Sequence, residues 1–146
     1  MEETFLIVGL GNPGKDYAAT RHNVGFMVLK CVAKRLGVEW EASKKFNAHL
    51  AKSRQDGNIV FLSKPQGYMN LSGQSVVPLA QYYQIPNGRV MVVVDDLDLP
   101  LGAVRMRPGG GTGGHRGLDS IQGLLGKDDF PRLRLGIGRP LSLIHI

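Results

Sequence analysis

Apolar runs of strand length alternate with stretches of helical spacing along the chain, with no internal repeat, low-complexity segment or linker. Phe5-Leu6-Ile7-Val8 predicts a short buried strand ending in a glycine-rich turn. Residues 24–36 place Val24, Met27, Val28, Cys31, Val32 and Leu36 on one helical stripe, with Cys31 packed among them, and Gly37 stops the helix. Residues 46–52 and 59–63 predict two strands around an Asp56-Gly57-Asn58 turn, a hairpin signal. A helix then starts at Asn70 or Ser72, either of which can cap it, and runs to about Tyr83 before Pro86-Asn87-Gly88. Val90-Met91-Val92-Val93-Val94 is the strongest strand, and so continuous an apolar run implies burial on both faces of a sheet. Residues 104–107 predict a weaker strand, 109–114 a flexible loop, 115–125 a short helix ended by Gly126, and 133–138 a last strand. The order β-α-β-β-α-β-β-α-β makes one α/β domain over residues 1–140, a mixed sheet flanked by helices, with 141–146 as an atypical tail.

Composition narrows the class. With 146 residues and 42% apolar content the chain can bury one core, which excludes a disordered chain, and a single cysteine excludes a disulfide scaffold. No apolar run approaches the roughly 18 residues of a membrane helix, and Met1-Glu2-Glu3 is acidic, unlike a signal peptide. The expectation is a cytoplasmic protein with no membrane partner. Eighteen basic residues against twelve acids give a net charge of +6, which favours a polyanionic partner. The excess is uneven: six basic residues and one acid, Asp56, lie between Ala42 and Val94, while Asp95, Asp96 and Asp98 crowd together.

Gly9-Leu10-Gly11-Asn12-Pro13-Gly14 matches G-x-G-x-x-G after a strand, so a dinucleotide site is weighed first. That fingerprint needs a helix opening inside the motif, with its N-terminus on the pyrophosphate. Here Lys15-Asp16-Tyr17-Ala18-Ala19-Thr20-Arg21-His22 follows with no apolar stripe, and no ribose-binding acid ends a second strand some 20 residues on. The loop instead carries a dense polar set: Asn12, Tyr17, Arg21, His22 and Asn23.

Four further side chains converge on strand ends. His22 lies just before a helix, where the dipole keeps imidazole neutral and therefore basic. Asp95 directly follows the strongest strand, Asn70 follows another, and Asn12 ends the first. A neutral histidine held by a carboxylate can take a proton from water, and amide N–H groups can hold an oxyanion. No nucleophile motif is present, so the chemistry is water attack without a covalent intermediate. The rival for Asp95, Asp96 and Asp98 is a divalent metal site completed by His22 or His115. Their spacing is no known ligand run, and Leu-Pro follows at once as in a turn, so Asp96 and Asp98 read as turn-capping or solvated.

Five long motifs, in order from about Phe5 to Pro140, resemble those of bacterial-type peptidyl-tRNA hydrolases. They are Val8 to Gly14 with Tyr17 and Thr20 to Gly25; Met69-Asn70-Leu71-Ser72-Gly73; Asp95 to Pro100; Gly109 to Leu118; and Arg132 to Pro140. The resemblance implies hydrolysis of the ester joining a peptide to the 3′-terminal ribose of tRNA, with no metal and no cofactor, by a monomer. It implies that His22 is the general base and Asp95 orients it. Asn12 and Asn70 would position the peptide or stabilise the oxyanion, and Tyr17 and Met69 would line the site. Arg105, Arg107 and Arg134 stand where the family places basic tRNA contacts. Two departures matter. Arg116 replaces the asparagine that usually follows the signature histidine, with either a phosphate or Asp119 as its partner. The end, Leu141-Ser142-Leu143-Ile144-His145-Ile146, does not resemble the family's continuation, so a missing C-terminal part is expected. The alternative function is a catalytically impaired tRNA- or RNA-binding relative of the same fold.

Overall fold

Four parallel strands form the middle of a seven-stranded mixed sheet, because helical crossovers connect them. The computed structural model describes residues 2–13 and 23–138. In chain order these form β1 (Thr4–Gly9), α1 (Val24–Leu36), β2 (Glu41–Ser43), β3 (Ala48–Gln55), β4 (Asn58–Pro65), α2 (Ser72–Tyr82), β5 (Val90–Asp96), β6 (Val104–Arg107), α3 (Arg116–Leu125) and β7 (Arg132–Gly136), with 3₁₀ turns at Met69–Leu71 and Asn87–Arg89. The sheet order is β2-β3-β4-β1-β5-β7-β6, antiparallel only at the β2–β3–β4 and β7–β6 ends. The expected single α/β domain with a mixed, helix-flanked sheet is what the structure has.

The connections explain the two faces. The crossover from β1 through α1 leads to β4 on one side, and the crossover from β4 through α2 jumps back over β1 to β5. Crossovers in opposite directions put their helices on opposite faces when both are right-handed. Accordingly Leu29 and Ala33 of α1 pack with Leu62 and Val93 on one face. Val76 and Leu79 of α2 join Leu118 and Ile121 of α3 over Leu6, Val8, Val92 and Val94 on the other. β5 is buried on both faces, as its unbroken apolar run requires. The hairpin turns at Asp56 and Gly57, both with positive φ (52° and 82°), which brings Gln55 opposite Asn58.

Three local expectations are corrected. The buried face of α1 is Gly25, Phe26, Leu29 and Ala33, while Met27 is 44% exposed and Cys31 lies on the surface. A Cβ on Gly25 would stand 2.3 Å from the Leu10 carbonyl oxygen, so the residue with no side chain decides which face meets the sheet. Neither Asn70 nor Ser72 caps α2: the 3₁₀ turn leads into the helix, and the Ser72 hydroxyl donates back to the Met69 carbonyl at 2.7 Å. β2 is an added edge strand. The expected tail, 141–146, lies outside the described residues.

Gly9 and Gly25 bring the end of β1 and the start of α1 into backbone contact, since a Cβ on Gly9 would meet the Gly25 carbonyl oxygen at 2.3 Å. Gly9→Ala is expected to lower the unfolding free energy by about 2–3 kcal/mol. Gly123→Ala, in α3 with open space around it, is expected to raise it by about 0.5–1 kcal/mol. Urea denaturation of both variants checks the contrast, and a Gly9→Ala protein as stable as the parent would refute the close approach.

Candidate active site

The parallel strands β1, β4, β5 and β7 end along one edge of the sheet, and β1 sits where the connections diverge to either side. Such a divergence opens a crevice beyond the strand ends. Three strands lead candidate site residues there. β1 runs on to Asn12, with Leu10 N–H donating to the Val93 carbonyl at 3.0 Å. β4 leads to the 3₁₀ turn that carries Met69 and Asn70, and β5 closes on Asp95 and Asp96.

Asn12 is fixed by a reciprocal bond. Its backbone N–H donates to Asn23 Oδ1 at 2.7 Å, and Asn23 Nδ2 donates to the Asn12 carbonyl at 2.8 Å. Asn23 is buried, so this amide is a staple between strand end and helix start. Met69 lies against the start of α3, where a Cβ on Gly117 would come within 2.9 Å of its sulfur. Asn70 is exposed on the same turn. Tyr17 and His22 lie outside the described residues.

Asp95 has a partner that the sequence did not single out for it. Asp95 Oδ1 lies 3.0 Å from His115 Nε2, with both side chains nearly buried. The other ring nitrogen, Nδ1, accepts from the backbone N–H groups of Gly117 at 3.1 Å and Leu118 at 3.3 Å. That assigns the proton to Nε2, from which it is donated to the carboxylate. His115 thus caps α3 and holds Asp95 with one ring. His115 opens the stretch the sequence assigns to a helix, directly after a glycine loop, but no spacing in the sequence ties it to Asp95.

Asp96 and Asp98 are engaged separately from Asp95. Asp96 Oδ1 accepts from the Asp98 N–H at 2.8 Å, and its Oδ2 lies 3.7 Å from Arg134 Nη1. Among the described residues no group of three His, Cys, Asp or Glu side chains is placed to hold a metal ion. Asp95, Asp96, Asp98, His115, Gly113 and Arg134 border a cleft of about 170 Å³.

The arginines divide into two kinds. Arg105 and Arg107 are exposed on the edge strand β6, and Arg116 is exposed at the start of α3. Asp119 accepts from the Thr112 hydroxyl at 2.5 Å and forms no ion pair with Arg116 among the described residues. Arg134 turns inward, donating to the Gly111 carbonyl at 3.2 Å beside Asp96. Arg132, given no separate role from the sequence, is fully buried and donates to the carbonyls of Gly110, Gly111, Asp128 and Phe130 and to Gln122 Oε1. Burial and the neighbouring Arg134 lower its pKa. Its signal was the alternation Arg132-Leu133-Arg134-Leu135, which sends both arginines to one face and both leucines to the core under α1.

A family model described as peptidyl-tRNA hydrolase matches residues 6–145. The chain is 51% identical over 140 residues to the peptidyl-tRNA hydrolase of Mycobacterium avium, an alignment covering 96% of this chain and 73% of that protein. It is 53% identical over 135 residues to the peptidyl-tRNA hydrolase of Nocardia farcinica, covering 92% of this chain and 70% of that one. The crystal structure of peptidyl-tRNA hydrolase from Acinetobacter baumannii superposes with a TM-score of 0.90 at 44% identity, covering 96% of this chain and 71% of that one.

The double duty of His115 is separable. His115→Ala removes both the cap and the bond to Asp95 and is expected to lower stability by about 1–2 kcal/mol. His115→Asn can still accept from the helix N–H groups and is expected to recover about 1 kcal/mol of that loss. Chemical denaturation of the two variants decides this, and equal stabilities would show that the cap contributes nothing.

Proposed function

The chain belongs to the peptidyl-tRNA hydrolase family, and on that premise we propose that it hydrolyses the ester between a peptide and the 3′-terminal ribose of tRNA, returning tRNA from abortive translation. The proposal includes a monomer acting in the cytoplasm, without a metal or cofactor. The observation that carries it is the delivery of Asn12, Met69, Asn70 and Asp95 to one sheet edge by three different strands. These residues come from three of the five family-like motifs.

The residues present are sufficient for direct attack by water. His22 directly precedes Asn23, whose side chain is tied to the Asn12 backbone. As general base, His22 takes a proton from water while the water oxygen bonds to the ester carbonyl carbon. The amides of Asn12 and Asn70 donate to the oxyanion that develops on the carbonyl oxygen. Collapse breaks the bond to the ribose oxygen, which takes the proton from the His22 imidazolium. The products are a free peptide carboxylic acid, ionised at neutral pH, and tRNA with its terminal hydroxyl restored. Asp95 orients His22, and because a carboxylate accepts from more than one donor it can do so while holding His115. Tyr17 and Met69 line the peptide path. A binder that has lost turnover is not favoured, since the matched relatives carry hydrolase names.

Arg105, Arg107 and Arg116 are assigned to tRNA phosphates. All three are exposed, and Arg116 stands at a helix N-terminus, where the dipole adds to its attraction for an anion. Arg134 would have to leave both Asp96 and the Gly111 carbonyl to reach a phosphate. Its expected work is to brace the glycine loop.

Deacylation of peptidyl-tRNA by the purified protein is the direct test. His22→Ala should cut turnover by about 10²–10⁴-fold with tRNA affinity nearly unchanged, and EDTA should leave the rate unaffected. An active His22→Ala protein or a metal requirement would overturn the mechanism. In salt titrations of tRNA binding, Arg105→Ala and Arg107→Ala should each shallow the slope of log K against log[salt] by about 0.7–0.9. Arg134→Ala should change that slope much less, and slopes unchanged in all three variants would leave these arginines without a phosphate role.

A further inference from the structure

On the face of the sheet that α1 covers, β4 ends at a cavity of about 200 Å³ bordered by Asn12, Phe26, Lys30, His49, Lys64 and Gln66. Lys64 continues the side of β4 that carries Val60 and Leu62 into the core under α1, and His49 is its cross-strand neighbour on β3. Two cations and an imidazole thus meet from three elements, and no carboxylate borders the cavity among the described residues.

Lys64 is the unusual member. It is 5% exposed, and among the described residues its ammonium takes part in no ion pair or hydrogen bond. It lies 4.2 Å from the centre of the Trp40 ring, which offsets a fraction of the lost hydration. A lysine stem laid over an aromatic ring ordinarily carries its head out to water, whereas here the head borders a pocket. An ammonium partly withdrawn from water without a counter-charge is costly. Burial first, then Lys30, lower the Lys64 pKa to about 8, and burial, Lys64 and Lys30 lower that of His49. The two ammonium groups repel each other and disfavour protonation of the His49 imidazole, and an anion among them would relieve that repulsion.

We propose that this cavity is a phosphate site, seating one backbone phosphodiester of the substrate's single-stranded 3′ end between Lys64, His49 and Lys30. The identity of the polyanion rests on the hydrolase reading above. Asn12 borders the cavity and also belongs to the catalytic edge, so the seated phosphate belongs to the terminal nucleotides. Phosphate suits the site better than an acidic peptide side chain. Every tRNA carries the same backbone phosphates, whereas the peptide varies from one substrate to the next.

Trp40 is the only tryptophan in the chain and stacks on Lys64, so its emission reports on the site. A trinucleotide with the tRNA 3′-terminal sequence should change that emission saturably, and adenosine without phosphate should not. Lys64→Met, close to isosteric, should weaken trinucleotide binding about tenfold. In kinetics, Lys64→Met should raise KM for peptidyl-tRNA about tenfold, so that activity on peptidyl-tRNA relative to a phosphate-free peptidyl-adenosine ester falls by the same factor. Lys30→Gln, on the exposed side of α1, should shift both readouts in the same direction by a smaller factor and serves if Lys64→Met does not fold. The proposal is overturned if trinucleotide affinity is unchanged in both variants. It is overturned equally if peptidyl-adenosine loses as much as peptidyl-tRNA, or if the loss follows acidic residues in the peptide. Should the parent protein hydrolyse neither substrate while trinucleotide binding still depends on Lys64, the hydrolase reading fails and the phosphate site stands.

Discussion

Arg132 carries a positive charge into the interior of the sheet's far side, and the geometry of the candidate catalytic edge depends on how that charge is satisfied. Every hydrogen bond it makes goes to an uncharged oxygen: four backbone carbonyls and the Gln122 amide, at 2.8–3.2 Å. A buried charge is tolerable only when it is well hydrogen-bonded, and here Nε, Nη1 and Nη2 all donate. The acceptors come from the glycine loop, from α3 and from the segment entering β7, so one planar guanidinium ties three pieces of chain together. A lysine could not do this, since its donors radiate from a single nitrogen. Arg134, two residues on and on the same face, adds a bond to the loop at Gly111. The loop so held leads directly into His115, and His115 meets Asp95.

On the other side of the crevice the constraint is the absence of side chains. Gly9 and Gly25 let backbone meet backbone, and a Cβ on Gly11 would collide with the Phe26 ring and with Asn23 Oδ1. The first two glycines of G-x-G-x-x-G, Gly9 and Gly11, therefore serve a strand–helix contact here. Because α1 can press so close, Asn23 reaches the Asn12 backbone and holds it at the mouth of the crevice. The same spacing that serves a pyrophosphate in other folds serves amide placement in this one.

Most elements could be read from periodicity because burial enforces it. β5 is apolar from Val90 to Val94 and lies between β1 and β7, and the hairpin turn needs positive φ at the Asp-Gly pair that announced it. What periodicity missed had other causes. β2 is three residues of Glu-Ala-Ser on an edge, defined by its partner rather than by its own side chains. The face of α1 was misjudged because a glycine contact, to which hydrophobicity is blind, sets it. At the site, Asn12, Asn70 and Asp95 were legible as polar residues at strand ends. The link from Asp95 to His115 was not, because it joins residues twenty positions apart through the fold of a glycine loop. Lys64 was hidden for a similar reason: a lysine at the end of a predicted strand reads as solvated until its neighbours are known.

The placement of charge resolves a difficulty that the proposed chemistry creates. A histidine base works best beside a carboxylate, yet a carboxylate near the 3′ end of tRNA repels the substrate. Three acids stand at this edge; Asp98 is exposed, and the other two, Asp95 and Asp96, are turned away from acting as open negative charges. Asp95 is nearly buried and accepts from His115, Asp96 is held between the Asp98 N–H and Arg134, and the exposed positions around them carry Arg105, Arg107 and Arg116. Interactions between exposed charges fade over about 8–10 Å at ordinary ionic strength, while those across buried contacts are screened much less. An approaching polyanion therefore meets the exposed arginines first, and the Asp95 charge acts mainly on the imidazole it touches. Withdrawing Asp95 and Asp96 while Arg105, Arg107 and Arg116 stay exposed is what would let one edge of one sheet attract a polyanion and still hold a carboxylate for the proposed catalysis.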